Sequence, residues 1–355
     1  MTAKDAPILI TGGAGFIGSN LADRLASEGR EVMVFDALAR AGVERNLAWL
    51  KARHGAKITP ITADIRDDRA VGEAVSQARC VFHLAAQVAV TTSLVDPVED
   101  FDINVRGAMN VLEAVRNLGS GAPVIFSSTN KVYGDLADVA LELADGAYRP
   151  CDAEVRVRGV SESRPLDFHT PYGCSKGAAD QYVLDYARSF GTPTCVLRMS
   201  CIYGPRQMGT EDQGWVAHFL IRALEGQPIS IYGDGCQVRD ILNVADAVDA
   251  YLSAWRRIER VSGRAFNLGG GPANAVSLRQ LIDYIEAIVG RRLELSFSDW
   301  RAGDQRYYVS DPSAARRELQ LGEPLDWRSG VAQLADWLAA ERSATPPRQR
   351  AEAVS

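Results

Sequence analysis

Tyr172 and Lys176 stand four residues apart in Pro171-Tyr172-Gly173-Cys174-Ser175-Lys176, so on a helix they share one face. A phenol, with an ordinary pKa of about 10, is a poor base at neutral pH. A neighbouring ammonium and a positively charged nicotinamide favour the phenolate. The phenolate can then take the proton of a sugar hydroxyl while the nicotinamide takes hydride from the same carbon. Thr129, in Ser127-Ser128-Thr129-Asn130-Lys131-Val132-Tyr133-Gly134, offers a hydroxyl that can grip a sugar oxygen. No carboxylate follows it. Chemistry that oxidises a sugar and then eliminates or decarboxylates needs an acid or base there, so the pattern points to a hydride moved out and back.

A place for the hydride carrier lies upstream. In Thr11-Gly12-Gly13-Ala14-Gly15-Phe16-Ile17-Gly18 the glycines Gly12, Gly15 and Gly18 follow an apolar strand and open an amphipathic helix. The first two allow a tight turn and close approach to a pyrophosphate, and the third allows helix and strand to pack closely. The phosphates then meet the N–H groups and dipole of the helix amino end. Asp36 ends the next strand, 18 residues beyond Gly18. A carboxylate there accepts from the adenosine ribose hydroxyls and repels a 2′-phosphate, which favours NAD over NADP. Asp64-Ile65, at the end of a third strand, either caps the adenine or forms a plain loop.

The elements that must hold these groups are legible as alternation. Strands are expected at Pro7–Thr11, Glu31–Asp36, Lys57–Thr62, Cys80–Ala85, Val124–Ser127 and Thr194–Arg198. Helices are expected near 16–28, 68–78, 98–118 and 172–190. Such alternation predicts an α/β fold: a Rossmann-type, doubly wound parallel sheet covered by helices on both faces. After Gly204 the rhythm loosens, with helices expected at 214–226, 244–258, 277–289 and 328–342, and a smaller mixed α/β carboxyl-terminal substrate domain follows. We assign 1–198, with about 236–250, to the NAD-binding domain. Residues 199–235 and 251–344 form the sugar-nucleotide domain, and 345–355 a flexible tail. Segment 135–170 reads as a long irregular loop directly before Tyr172, a place where function concentrates.

Composition narrows the partners. The 355 residues are 46% hydrophobic and 24% charged, ordinary for a globular chain with an ample core. A net charge of −6 with no basic stripe argues against nucleic acid. Six cysteines without a CxxC and four scattered histidines without HExxH give no metal site; reduced thiols in the cytoplasm are expected. The first strand begins by Ile8, which leaves no room for a signal peptide, and no apolar run is long enough for a membrane span.

TGGAGFIG (11–18), HLAAQVAVTTS (83–93), SSTNKVYGD (127–135), DFHTPYGCSKGAADQYVLDYAR (167–188) and YGPRQ…DQGWV (203–216) together resemble an extended short-chain dehydrogenase/reductase. More narrowly they are similar to the CDP-tyvelose (CDP-paratose) 2-epimerases, from Ile8 to about Trp337. The glycine motif and YxxxK are common to the superfamily; the 127–135 and 171–182 motifs are distinctive of that branch. The resemblance implies tightly bound NAD, a nucleoside-diphosphate hexose as substrate (a CDP-hexose by the narrower match), and a homo-oligomer, dimer or tetramer. It implies Thr129, Tyr172 and Lys176 as the catalytic group. It places Gly12, Gly15, Phe16, Ile17, Gly18, Asp36, Asp64, Ile65, Leu84, Ala85, Gln87, Asn104, Ser127, Tyr172 and Lys176 at the cofactor. It places Thr129, Asn130, Met199, Arg206, Gln207, Trp215, Arg239, Asp304 and Arg306 at the substrate, with Arg239 on its pyrophosphate. Two stretches depart from the family pattern and are expected near the sugar ring. Arg198-Met199-Ser200-Cys201 stands where relatives read Arg-His-Ser-Ser, and Arg158-Gly159-Val160-Ser161-Glu162 where they tend to Asn-Gly-Tyr-Asp-Glu.

The expected activity is epimerisation by transient oxidation to a ketone. The resemblance implies carbon 2; the residues themselves leave the carbon open. A 4-epimerase, or a 2-epimerase on another sugar nucleotide, is the alternative. The 4,6-dehydratase relatives place Asp-Glu straight after the threonine, where this chain has Asn130-Lys131, so dehydration is not expected. A non-enzymatic NAD sensor would lose the Tyr–Lys pair, which is intact.

Overall fold

A computed structural model describes residues 6–344; the tail expected at 345–355 lies outside the described residues. The first half alternates β1 (Ile8–Thr11), α1 (Phe16–Ser27), β2 (Val32–Asp36), α2 (Val43–His54), β3 (Ile58–Thr62), α3 (Asp68–Ser76) and β4 (Cys80–His83). Helices α4 (Val90–Val95), α5 (Pro97–Phe101) and α6 (Gly107–Leu118) then lead to β5 (Val124–Thr129). A hairpin of β6 (Leu141–Ala144) and β7 (Ala147–Pro150) and a short α7 (Ala153–Arg158) precede α8 (Thr170–Phe190). The chain continues through β8 (Thr194–Met199), β9 (Cys201–Tyr203), α9 (Trp215–Glu225), β10 (Ile229–Tyr232), β11 (Val238–Asn243), α10 (Val244–Arg256), α11 (Ile258–Val261) and β12 (Arg264–Leu268). It closes with β13 (Ala275–Ser277), α12 (Leu278–Val289), β14 (Leu295–Ser298), β15 (Tyr307–Tyr308), α13 (Ser313–Leu319) and α14 (Trp327–Ala344).

Seven parallel strands form the main sheet in the order β3-β2-β1-β4-β5-β8-β12. Its strands are apolar on both faces because helices cover both. In β2, Val32 and Val34 join one core with Leu21 and Leu25 of α1 and Tyr251 of α10. Met33 and Phe35 join the opposite core with Val71 of α3, Val111 and Leu112 of α6 and Val183 of α8. The order reverses between β1 and β4, the place where open parallel sheets hold ligands beyond their carboxyl ends. The doubly wound sheet is the one expected.

Three features differ from the sequence reading. Helix α2 was not expected: it buries only Asn46 and Leu50, so its apolar period is faint. The segment 135–170 carries the β6–β7 hairpin and α7 rather than being irregular throughout. Residues 251–344 do not stay together, because β12 pairs along β8 from Arg264↔Cys195 to Leu268↔Met199 and extends the main sheet. Segment 236–250 also divides: β11 pairs with β9, β13 and β15 in the smaller unit, while α10 packs in the core of the large sheet. The smaller unit closes over Phe219, Leu220, Ile229, Leu281, Ile285, Val331 and Leu334.

One buried polar network fixes the centre of the molecule. The guanidinium of Arg198 on β8 donates to both oxygens of Asp180 on α8, each at 2.9 Å. Ser128 of β5 donates to Asp180 at 2.7 Å, and Arg198 Nη1 donates to the Tyr133 hydroxyl at 3.1 Å. Tyr133 in turn donates to Asn267 of β12 at 2.8 Å, and Asn267 donates to the Val160 carbonyl. All the side chains named are buried. A buried pair so satisfied is expensive to break from one side. Arg198→Met is expected to destabilise the protein by about 3–5 kcal/mol, because it leaves the buried Asp180 carboxylate without its cation, with the Ser128 hydroxyl and the Gln181 amide as donors. Denaturant unfolding measures this, and a change under about 1 kcal/mol would contradict it.

Candidate active site

The glycine turn sits at the reversal of the sheet. Gly12 has φ +69°, and a Cβ there would stand 2.7 Å from the Ala85 nitrogen. A Cβ on Gly18 would stand 2.2 Å from the Gly12 carbonyl oxygen, so α1 can lie this close to the turn only with glycine at that position. Gly15 is the N-cap of α1; no side chain caps it and the first turn, with Phe16 and Ile17, has no acid. Leu84 and Ala85, just past β4, form the facing wall, and Ala85 N–H donates to Thr11 Oγ1 at 3.3 Å. Asp36 accepts from Ala14 N–H at 3.0 Å and Leu38 N–H at 2.9 Å, one bond per oxygen, which leaves each oxygen able to accept again. A cradle that side chains would fill, an uncapped helix start and a half-used carboxylate fit a dinucleotide.

The remaining expected cofactor residues divide. Asp64 is on the surface, where Arg66 at 2.6 Å holds its carboxyl below the ordinary range. Ile65 is buried against Gly107. Gln87 and Asn104 interlock: the Gln87 N–H donates to Asn104 Oδ1 at 3.0 Å, and Asn104 Nδ2 donates to the Gln87 carbonyl at 3.2 Å. The same nitrogen reaches Asp100 and Ser175, so Asn104 ties the loop after β4 to α8. Ser127 contributes its carbonyl, which accepts from Lys176 Nζ at 2.6 Å.

Tyr172 lies in the first turn of α8, begun with Pro171, and the Ser93 hydroxyl accepts its backbone N–H at 3.2 Å. Thr129 ends β5, where pairing with Met199 extends the strand two residues past the expected boundary. Burial pushes the Tyr172 phenol up to about 12; the hydrogen bond with Thr129 works against this, and Asp100 adds to it. Burial also pulls the Lys176 ammonium down to about 8, opposed by Asp180 and Asp100. Lys176 Nζ stands 4.3 Å from the Phe126 ring centroid. Within the protein, burial outweighs the groups that favour the phenolate, and the Lys176 ammonium keeps its charge while donating to the Ser127 carbonyl.

A cleft of about 370 Å³ opens from Tyr172 and Thr129 between the two units. Of the expected substrate residues it brings together Thr129, Asn130, Trp215, Arg239 and Asp304. Four lie elsewhere. Met199 is packed behind the strand ends, its sulfur accepting from Tyr251 at 3.2 Å. Arg206, itself at φ +71°, stacks 4.0 Å from the Trp49 ring centroid and 5.3 Å from that of Trp337, and pairs with Glu341. Gln207 is buried behind Gly214, donating to the Ile202 carbonyl at 3.2 Å. Arg306 is exposed and lies against Trp300 and Tyr148. Of the two divergent stretches, Cys201 lines the cleft, whereas Val160 is buried beside Tyr308 in a core behind it.

Sequence reasoning missed Lys131, His218, Tyr232, Gln237 and Arg301, all of which line the cleft. Lys131 adjoins a residue already singled out; His218 on α9, Tyr232 at the end of β10 and the loop residues Gln237 and Arg301 are brought in by tertiary packing alone. Arg301 ties β10 to the loop before α9, stacking 3.7 Å over Tyr232 and pairing with Asp212 at 3.3 Å. Outside the cleft, Asp135, Asp167 and His169 bring three ligating atoms within 4.8 Å of one another, and the imidazole reaches each carboxylate, Asp167 at 3.2 Å.

Residues 8–269 match the NAD dependent epimerase/dehydratase family. The chain is 42% identical over 337 residues to the CDP-paratose 2-epimerase of Salmonella typhi, covering 93% of this chain and 98% of that protein. Among solved structures it is similar to the UDP-glucose 4-epimerase of Thermotoga maritima with UDP-glucose. The TM-score is 0.81 at 30% identity, over 95% of this chain and 99% of that one. It is also similar to the Thermus thermophilus UDP-glucose 4-epimerase in complex with NAD, with a TM-score of 0.78 at 30% identity, over 94% of this chain and 99% of that one. The chain belongs to the NAD dependent epimerase/dehydratase family, and NAD is its cofactor. Purified protein, once denatured, is expected to release NAD in substantial amount and little NADP. Chromatography of the supernatant decides it, and mostly NADP would contradict the reading of Asp36.

Proposed function

We propose that this member of the NAD dependent epimerase/dehydratase family is a sugar-nucleotide epimerase that inverts carbon 2 of a CDP-hexose. Tyr172 takes the proton of the ring hydroxyl, Thr129 holds the same oxygen, and the ketone that forms turns before the proton is given back. Bound NAD supplies the hydride acceptor and donor and a positive charge near the phenol. Lys176, on the Ser127 carbonyl, holds a second positive charge on the same helix face. Because burial leaves the phenol at about 12, this added charge is what the pair needs to act near neutral pH.

One observation carries the reading: among the described residues, no acid lining the cleft is free to drive elimination beside the catalytic pair. Asn130 donates to Gln305 at 3.0 Å. The acids that line the cleft come from loops of the smaller unit and are each engaged: Asp304 with Arg239, Asp212 with Arg301, and Glu211 with the Tyr232 hydroxyl. The similarity to a CDP-paratose 2-epimerase supports both the carbon and the nucleotide. An exposed apolar patch of Val95, Val98 and Phe101 on α4 and α5 supports a homo-oligomer. Six cysteines, none of them paired, suit a cytoplasmic location; no described helix is long and apolar enough to cross a membrane.

Tyr172→Phe removes the proton acceptor while leaving the NAD cradle untouched. Turnover is expected to fall about 10²–10⁴-fold with NAD content unchanged; near-normal turnover would identify another base.

Reaction in D₂O offers an independent check. A hydride that leaves and returns within the site leaves no solvent deuterium on carbon, and NMR couplings of the product are expected to show inversion at carbon 2. Inversion at carbon 4 would make the enzyme a 4-epimerase. Carbon-bound deuterium with a stable 4-keto-6-deoxy product would make it a dehydratase.

A further inference from the structure

Two cations in the cleft reach one carboxylate oxygen. Arg239 Nη2 donates to Asp304 Oδ1 at 2.6 Å, and Lys131 Nζ stands 4.0 Å from the same atom. Lys131 is largely buried at the cleft wall. Its ammonium gives one proton to the Gly303 carbonyl at 3.0 Å, which leaves two to give. A phosphate offers several oxygens where the carboxylate offers two, so an entering diphosphate can take over the point at which both cations converge.

The two cations differ in where they are rooted. Arg239 stands on β11 of the smaller unit, across the cleft. Lys131 belongs to the turn that follows β5, and its backbone N–H donates to the Thr129 hydroxyl at 3.2 Å. A phosphate held by Lys131 is therefore held from the same turn that carries the Thr129–Tyr172 pair. In a sugar nucleotide the β-phosphate joins carbon 1 through a single oxygen. Carbon 2 adjoins carbon 1, whereas carbon 4 lies across the ring. A phosphate gripped beside the pair presents carbon 2 to it; a phosphate gripped only across the cleft suits carbon 4.

We infer that Lys131 binds the β-phosphate of the sugar nucleotide and thereby brings the anomeric end of the sugar, with carbon 2, to Thr129 and Tyr172. This rests on the sugar-nucleotide reading above. The plainer role for the lysine is to clamp the 303 loop through the Gly303 carbonyl.

Calorimetric titration of NAD-containing wild type and Lys131→Met with CDP and with CMP separates these roles. CMP lacks the β-phosphate. The variant is expected to bind CDP about ten- to hundredfold more weakly, as for loss of a hydrogen bond to a charged group, with CMP affinity unchanged and Lys131→Arg retaining most of the CDP affinity. Lys131→Gln carries the same comparison if the methionine variant does not fold. Equal CDP affinity in variant and wild type overturns the inference. So does a parallel loss for CDP and CMP, which is the signature of a clamp. With CDP-hexose deuterated at carbon 2 or carbon 4, only the carbon 2 label is expected to slow wild-type turnover; slowing by the carbon 4 label alone overturns the inference as well. Wild type that binds none of CDP, UDP or dTDP defeats the sugar-nucleotide reading itself, and the inference with it.

Discussion

The ion pair of Arg198 with Asp180 is the constraint on which the rest of the site depends. The proposed catalysis needs groups from β5 and α8 set to within a fraction of an ångström, and no backbone ladder joins a strand to a helix. The pair does so instead. Asp180 lies two turns beyond Tyr172 on α8, Arg198 is in the strand beside β5, and Ser128 completes the carboxylate from β5 itself. Through Tyr133 and Asn267 the same network reaches β12 and the loop at Val160. Paying the desolvation of two charges is reasonable where a unique arrangement, rather than stability alone, is required.

Much of this was legible locally. The glycine turn announces itself because each glycine answers a collision that the sequence neighbourhood implies: strand, turn and helix follow within a dozen residues. Tyr172 and Lys176 share a face by helical period alone. Their electrostatics were not legible, since burial depends on everything packed around them, and the structure sets the two groups further apart in proton affinity than the sequence reading supposed.

The failures share a cause. Arg206 resembles a substrate arginine in its motif, yet it is sandwiched by Trp49 of α2 and Trp337 of α14. Helix α2 was itself invisible, being mostly solvent-facing, so its tryptophan could not be counted as a partner. Met199 and Arg306 likewise meet partners that a motif alone does not reveal, Tyr251 for the one and Trp300 with Tyr148 for the other. Strand β12 was misgrouped because the chain leaves the main sheet after β8, runs through β9 to β11 in the smaller unit and returns through α10, a detour that no periodicity encodes. Tyr232, at the end of β10, and Arg301, in the loop after β14, reach the cleft only through the packing of the smaller unit.

The walls of the cleft are unequal. Lys131, Arg239 and Arg301 bring cations to the cleft, whereas the segment after β4 contributes Val88, Val90 and Leu94, with the hydroxyl of Thr91 its one polar group. A catalyst that works in both directions must obey the overall equilibrium of its reaction, and gripping one stereoisomer more tightly than the transition state slows the conversion of that isomer. Concentrating the hold on the anionic end, common to both isomers, and facing much of the ring with an apolar wall would meet that condition. The sugar can then pivot about a fixed tether, and its choice of face is left to its own chemistry rather than to the wall.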